Sequence, residues 1–383
     1  MSHKLDLKNK PPKILFIIVE DRYFISHRLH LAQFAIQKGY KVGLLCKESR
    51  HRSFLEGQGI EVFDWPLERG SFNLFLEAKA LYVIVVILLK FKPSLIHAVA
   101  LKPVIYSSMA SKFVFLKSRV FALGGLGYIF SSKKLLANIL RPFIVVILKF
   151  SFIGKKTRLI IQNSDDAKTL INLRVINKRK IDLIRGAGVD TSIFSYSEES
   201  SEVPEIILPA RLLWDKGIGE FISAARILKK EGFNARFTIF GESDPHNPEC
   251  ISDSQIREWK EEGIVEIAGF QEDMAYCIKQ SSIVCLPSYR EGLPKALLEA
   301  ASCGRPIVTT DVPGCREIVQ DGVNGYLVPS KDFDLLAKAL RRLLDDRELR
   351  KVMGLRGRKL VEKEFSAEIV ATKTEKIWDT LIS

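Results

Sequence analysis

The stretch IVCLPSYREGLPKALLEA, residues 283–300, changes character twice. Ile283 to Leu286 is a short continuous apolar run, as expected of a strand buried on both faces of a parallel sheet. Ser288 to Gly292 is a polar loop. Pro294 then opens a helical stretch running to Ser302, since proline suits a helix's first turn, where its missing N–H leaves no hydrogen bond unmade. Strand, loop and helix in this order put Glu291 at a strand's carboxyl end and beside a helix N-terminus. Gly292 permits close backbone approach to a ligand, and helix N-terminal N–H groups bind phosphate. Glu299, inside the helix, can accept hydrogen bonds from diol hydroxyls. A Glu ahead of a helix can merely complement its dipole; the whole string points to a ligand site.

Around this unit the same alternation recurs. Strands are expected at Glu205–Leu208, Arg236–Phe240, Ile264–Ala268, Pro306–Thr309 and Gly325–Val328, with helices between them, notably Gly219–Lys230. Upstream, KILFIIVE (Lys13–Glu20) and KVGLLC (Lys41–Cys46) flank an amphipathic segment, Ser26 to Gln37. Further strands are expected at Glu61–Phe63, Ser94–His97, Val120–Leu123 and Leu159–Gln162. Such β–α alternation predicts α/β architecture, with two doubly wound, Rossmann-like domains facing a cleft into which the strands' carboxyl ends point. GAGVD followed by SYSEESSEVPE reads as an interdomain linker within 186–204. The expected domains are 1–195 and 196–365, the C-terminal helix 366–383 packing back on the first. Trp378 and Ile382 lie on that helix's apolar side.

Composition bounds the function. A length of 383 residues predicts two domains at roughly 100–200 residues each. The net charge of +13, from 58 basic and 45 acidic residues, implies an anionic partner: nucleic acid, anionic lipid or a phosphorylated substrate. No helix-turn-helix, RNA-binding or zinc motif appears, which argues against nucleic acid. The six cysteines include no C-x-x-C pair, so reduced thiols in a cytoplasmic protein are expected. Met1–Lys10 lacks the apolar core of a signal peptide, and the longest uninterrupted apolar run, Val83–Leu89, falls well short of the ~20 residues that span a bilayer. KKLLANILRPFIVVILKFSFIGKK, residues 133–156, combines apolar residues with cations and suits contact with an anionic membrane surface; its bland alternative is a buried helix with basic ends.

Other loops end strands on the same side as Glu291. RLLWDKG places Arg211 and Lys216 after the first strand of the second domain, two cations suited to a diphosphate. Trp214 between them reads as packing. Gly241, with GESD after RFTIF, and Phe270, with GFQED after VEIAG, are weaker signals, one loop to hold a nucleobase and another the diphosphate. Asp332-Phe333-Asp334 has the D-x-D form of metal-dependent sugar transferases. It also follows Ser330, a natural N-cap, and opens a helical stretch, so it reads as capping and no metal is expected.

These residues resemble the retaining GT-B glycosyltransferases of family 4, whose motif is E-x7-E; Glu291 and Glu299 have that spacing, and PSYREGLPKALLEAASCGRPIVTTDVPGCREIVQDGVNGYLVP carries the likeness most strongly. The resemblance implies that Arg211 and Lys216 bind the donor diphosphate and that Glu291 contacts the transferred sugar near its 3- and 4-hydroxyls. It implies that Glu299 holds the ribose, while Gly292, Leu293 and Pro294 line the sugar-phosphate pocket. Glu291, Arg211 and Lys216 are then the catalytic set, in a metal-independent enzyme without a cofactor. YFISHRLHLA and FALGGLGYIFSS resemble a narrower bacterial group that builds O-antigens, capsules and glycoprotein glycans. Such enzymes add HexNAc-type sugars from UDP-sugars to undecaprenyl-diphosphate-linked saccharides. His27, Arg28, His97 and Gly125 are the acceptor-binding candidates on this likeness, His27 and His97 reading equally well as structural residues, and the location implied is cytoplasmic, peripheral on the inner face of the cell membrane. Where many members place a His after the fifth strand, this sequence has Gly124-Gly125-Leu126-Gly127. The rival reading is a non-catalytic nucleotide-sugar-binding protein on the same scaffold.

Overall fold

The computed structural model describes residues 11–48, 50–67, 73–126, 130, 135–200, 202–245 and 247–383. The chain divides into two compact units, one formed by Met1–Ile184 with Ala371–Ser383 and the other by Arg185–Val370.

The first unit is built on strands β1 (Lys13–Glu20), β2 (Lys41–Lys47), β3 (Ile60–Asp64), β4 (Leu95–Val99), β5 (Arg119–Leu123), β6 (Thr157–Ile161) and β7 (Ile181–Leu183). They form one sheet in the order β3-β2-β1-β4-β5-β6-β7, every neighbouring pair parallel. The central strands carry unbroken apolar runs because helices cover both faces, so Phe16, Ile17, Ile96 and Phe121 are wholly inaccessible. Strand β7 was not expected; its short IDL has no apolar run to announce it.

The second unit holds β8 (Glu205–Pro209), β9 (Arg236–Phe240), β10 (Glu266–Gly269), β11 (Ile283–Leu286), β12 (Ile307–Thr310) and β13 (Gly325–Val328), in the order β10-β9-β8-β11-β12-β13 and again parallel throughout. In both sheets the strand order reverses beside the unit's first strand, the arrangement that opens a crevice at the strands' carboxyl ends.

The boundary falls at Ile184/Arg185, ahead of the expected 195/196, because the supposed linker is not slack. Phe194 O accepts bonds from Ser302 Oγ (2.6 Å) and Arg358 Nη1 (2.9 Å). Arg305, fully buried, donates to Ser197 O and Ser197 Oγ, both at 2.7 Å. Arg350 grips Glu199 with two bonds of 2.9 Å. Burial pushes the Glu199 carboxyl up, but the bonds from Arg350 and Ser282 outweigh it and hold the group below its ordinary value.

The terminal helix Ala367–Ile382 contributes residues from 371 onward to the first unit. Ile377, Trp378 and Leu381 form its buried side. Trp378 meets Phe16 and His97 edge-on, with centroids at 6.1 and 5.8 Å. Tyr40 Oη donates to Asp379 at 2.5 Å, and Ser118 Oγ to Leu381 O at 2.7 Å.

Part of the basic, apolar stretch, including Lys133 and Lys134, lies outside the described residues. The helix Leu135–Ser151 is present and is not simply buried: Ile139, Phe143, Val146 and Phe150 are exposed, as is Ile153 just beyond it. The helix Leu101–Phe113 packs against it and against Leu74–Phe91. These add exposed Phe75, Tyr82, Leu89, Met109, Phe113 and, just past the helix Leu101–Phe113, Phe115. Among the described residues no helix is long and apolar enough to cross a membrane.

Candidate active site at the carboxyl ends of the second sheet

Because all six strands of the second sheet run parallel, the loops after β8, β9, β10 and β11 emerge at one edge. They carry Arg211, Gly241, Phe270 and Glu291 respectively. Two glycines make the convergence sterically feasible. A Cβ on Gly241 would stand 1.8 Å from Ala210 O, and one on Gly217 2.1 Å from Pro287 O. Only a residue without a side chain lets these backbones approach so closely.

Glu291 is the hub. Its Oε1 accepts from Lys216 Nζ at 2.5 Å and from Ser288 Oγ at 2.8 Å. Ser288 O in turn accepts from the buried Thr310 hydroxyl at the end of β12. The ion pair is well enclosed, with side chains 17 % and 13 % exposed. Lys216 closes a single turn of 3-10 helix, Trp214–Lys216, ahead of the helix Ile218–Lys230. Arg211 is half exposed and pairs with Asp244 from the loop after β9. Trp214 packs edge-on against Trp259, with centroids at 5.6 Å.

Glu299 occupies the helix Lys295–Ser302, buried among Leu297, Leu298 and Ala300. Burial raises its carboxyl above the ordinary value, against the pull of Lys295, whose Nζ lies 2.6 Å from Oε1. Both acids of the motif thus carry a lysine. In an i,i+4 pair with Lys preceding Glu, the order is the less favourable one for helix stability, so the pair reads as serving the carboxylate. Pro294 is the N-cap of this helix, not a first-turn residue. Leu293 is buried, and the Asp311–Cys315 connection presses on the motif loop: a Cβ on Gly314 would meet Gly292 O at 2.5 Å.

Beneath the ion pair lies a second polar layer that sequence reading did not single out. Tyr289 N donates to Asp215 O at 2.8 Å and its hydroxyl to Glu220 at 2.7 Å. Burial pushes the Asp215 carboxyl up, and its Oδ1 is enclosed without a hydrogen-bond partner. For Ser288 and Lys295 the three- and four-residue spacings to Glu291 and Glu299 are a signal legible in the sequence; for Asp244, 33 residues from Arg211, no local spacing announces the pair.

Asp332 caps the helix Phe333–Asp345 itself, its Oδ1 accepting from Leu335 N at 2.8 Å. The cap is therefore Asp332, not Ser330, and Asp334 sits in the first turn. Among the described residues no group of three His, Cys, Asp or Glu side chains is placed to hold a metal ion.

In the first unit the four acceptor candidates separate. His27 is half-buried, stacked on Tyr23 at 4.2 Å, with Nδ1 2.6 Å from Ser26 Oγ. Gly125 follows β5 beside Gly124, whose Cβ position would lie 3.7 Å from Tyr23 Oη, so these two candidates share one edge. Gly127 lies outside the described residues. His97 is a correction: 1 % exposed, it stacks on Phe16 at 5.1 Å and takes a 3.3 Å hydrogen bond from Trp378 Nε1 on Nδ1. Burial, and then the nearby Arg28, hold its pKa well below the ordinary value, so it is a neutral core residue. Arg28 is a second correction, buried with Nη1 donating to His27 O at 2.9 Å and burial lowering its pKa.

Comparison with known proteins bears on both units. Residues 190–360 match the family model described as glycosyl transferases group 1, and residues 13–164 the model described as glycosyl transferase 4-like. A Campylobacter jejuni protein, N,N'-diacetylbacillosaminyl-diphospho-undecaprenol alpha-1,3-N-acetylgalactosaminyltransferase, is 27% identical over 89% of this chain and 92% of its own length. The Escherichia coli UDP-Gal:alpha-D-GlcNAc-diphosphoundecaprenol alpha-1,3-galactosyltransferase is 23% identical over 93% and 92%. The structure of Anabaena HepE with UDP and glucose superposes with a TM-score of 0.76 at 17% identity, covering 96% of this chain and 100% of that one.

Proposed function

The chain belongs to the glycosyltransferases of the group 1 and 4-like type, built on the GT-B fold, and from that we propose that it moves a HexNAc-type sugar from a UDP-sugar to a polyprenyl-diphosphate-linked saccharide with retention of configuration. The observation that carries this reading is the enclosed Lys216–Glu291 pair, braced by Ser288, at the strand edge that also bears Arg211. Lys216 supplies a point charge and Arg211 a fork for the donor diphosphate. Glu291 faces the transferred sugar, the Glu299–Lys295 pair takes the ribose, and the exposed Phe270 ring offers a face to the uracil. In the transfer, the bond from the sugar C1 to the diphosphate oxygen breaks and a bond from C1 to the acceptor hydroxyl oxygen forms on the same face. The hydroxyl proton passes to the departing diphosphate. The two cations and the helix at Lys295 stabilise the charge that builds on UDP.

The test is turnover of UDP-GalNAc, UDP-GlcNAc and UDP-galactose with undecaprenyl-diphosphate-linked GlcNAc and N,N'-diacetylbacillosamine, the product's anomeric configuration being read by NMR. The expected product from an α-linked donor is an α-glycoside, formed equally well in excess EDTA. A β-linked product would overturn the retaining assignment. Loss of turnover in EDTA, restored by Mg²⁺ or Mn²⁺, would reopen the role of Asp332 and Asp334.

We also infer that the exposed apolar side chains of the helices 74–91, 101–113 and 135–151, with Arg141, Lys149, Lys155 and Lys156 around the last, seat the enzyme on the anionic inner face of the cell membrane. Each cation near such a surface adds about 1 kcal/mol. In liposome flotation, binding should rise with the fraction of anionic lipid and fall with salt. Equal binding to neutral vesicles, or none to either, would remove the electrostatic part.

A further inference from the structure

The first unit holds a titratable pair that none of the roles above uses. Asp21 opens the helix Asp21–Gln37 directly after β1, and His51 stands in the connection after β2, just ahead of the helix Arg52–Gly57. His51 Nδ1 lies 3.3 Å from Asp21 Oδ2, and the other carboxylate oxygen accepts from Arg22 N at 2.7 Å. The Asp21 side chain is 2 % exposed and that of His51 39 %, so a buried acid backs an imidazole that solvent reaches. His51 occupies the N-cap position, but its side chain makes no cap bond, so capping does not account for a histidine here. The contact from Nδ1 to the carboxylate holds the ring in one orientation, with Nε2 on the side away from Asp21. Both residues sit at the carboxyl edge of the sheet, the edge at which α/β units take their ligands.

The surroundings select the chemistry. Asp64, at the end of β3, accepts from Glu48 N at 3.2 Å, and Glu48 is held by Arg52 with Nε at 2.8 Å. Between these groups, burial and then the charges of Asp21, Asp64 and Glu48 push the Cys46 thiol up to about 12. A phosphate at this edge would meet several carboxylates; a neutral hydroxyl, which can both donate and accept, would instead find an oriented ring nitrogen. We propose that His51, positioned by Asp21, recognises a hydroxyl of the acceptor saccharide, so that this part of the first unit reads the acceptor's sugar and not its diphosphate. The inference rests on the acceptor class proposed above.

The experiment compares the wild-type protein with His51→Ala, His51→Gln and Asp21→Asn. It measures KM for undecaprenyl-diphosphate-linked GlcNAc and N,N'-diacetylbacillosamine, KM for the donor, and UDP affinity by calorimetry. The expected result is an acceptor KM raised about tenfold in His51→Ala, the loss of one hydrogen bond of ordinary strength. Donor KM and UDP affinity should stay within twofold. Asp21→Asn should fall between the two, since an amide oxygen can still accept from Nδ1–H without the charge. An acceptor KM within twofold of wild type, or a donor KM that moves with it, overturns the proposal. If Asp21→Asn fails to fold, the two variants of the solvent-reached His51 decide. A wild-type protein that binds no UDP, or uses neither acceptor, sinks the function reading and this inference with it. Wild-type transfer to these acceptors with an acceptor KM that is unmoved in His51→Ala sinks this inference alone.

Discussion

Lys216→Ala is expected to cut kcat/KM for sugar transfer by roughly 150-fold, the upper end of the 1.5–3 kcal/mol attached to a hydrogen bond with a charged partner. The enclosure of the pair sets the magnitude. Lys216 and Glu291 are each less than one-fifth exposed, so removing the lysine withdraws a charge from the leaving diphosphate and leaves a poorly solvated carboxylate with Ser288 beside it. Arg211→Ala should cost less, nearer 10-fold, because Arg211 is half exposed and its pairing with Asp244 is screened by water. Glu291→Gln should lower kcat more than it raises donor KM if the carboxylate acts on charge developing at the sugar. The double variant Lys216→Ala/Glu291→Gln should fall short of the product of the single losses, since both singles break one contact. Steady-state kinetics on the four proteins decides this. A Lys216→Ala enzyme within twofold of wild type would take the residue out of the site.

Trp378→Ala should be the most destabilising single change in the first unit, at about 3–5 kcal/mol. The indole is fully buried, closes an aromatic cluster with Phe16 and His97, and donates the hydrogen bond that His97 Nδ1 accepts. Truncation leaves a cavity and a buried imidazole nitrogen without its donor. The melting transition of that unit should drop by roughly 6–20 °C, and Trp378→Phe, which keeps most of the volume, should recover more than half of the loss. Calorimetric melting of the full chain measures it; a shift below 2 °C would mean that the terminal helix does not hold this core.

The alternation of apolar runs and amphipathic segments exposed most of both sheets, because parallel strands covered on both faces need unbroken runs such as KILFIIVE and IVCLP. The spacing of Glu291 and Glu299 marked the candidate site, one acid standing in the loop before the helix Lys295–Ser302 and the other within it. What escaped was non-local. Polar SYSEESS looked like a free linker, yet Arg305 and Arg350, 108 and 151 residues further on, bind Ser197 and Glu199. His97 reads equally as a structural or a functional residue until Trp378, 281 positions away, is seen to bond it into the core. Composition and periodicity contain no record of such partners. The error at Ser330 was of another kind: two good capping residues stand two apart, and the chain uses Asp332.

The crowding at Gly241 and Gly217 bears on how variation in this protein should be interpreted. A methyl group at either position would overlap a carbonyl oxygen on a neighbouring segment, so a library of random substitutions would register both as intolerant as Lys216 or Glu291. At both positions the closeness of two backbones is enough to cause that intolerance, whatever the loop contributes to the donor. Fitness scores alone would therefore mix positions that must be small with positions that must carry a given functional group. A second score, such as the amount of folded protein per variant, separates the two: substitutions at the glycines should lower both quantities together, and Glu291→Gln should lower only the first.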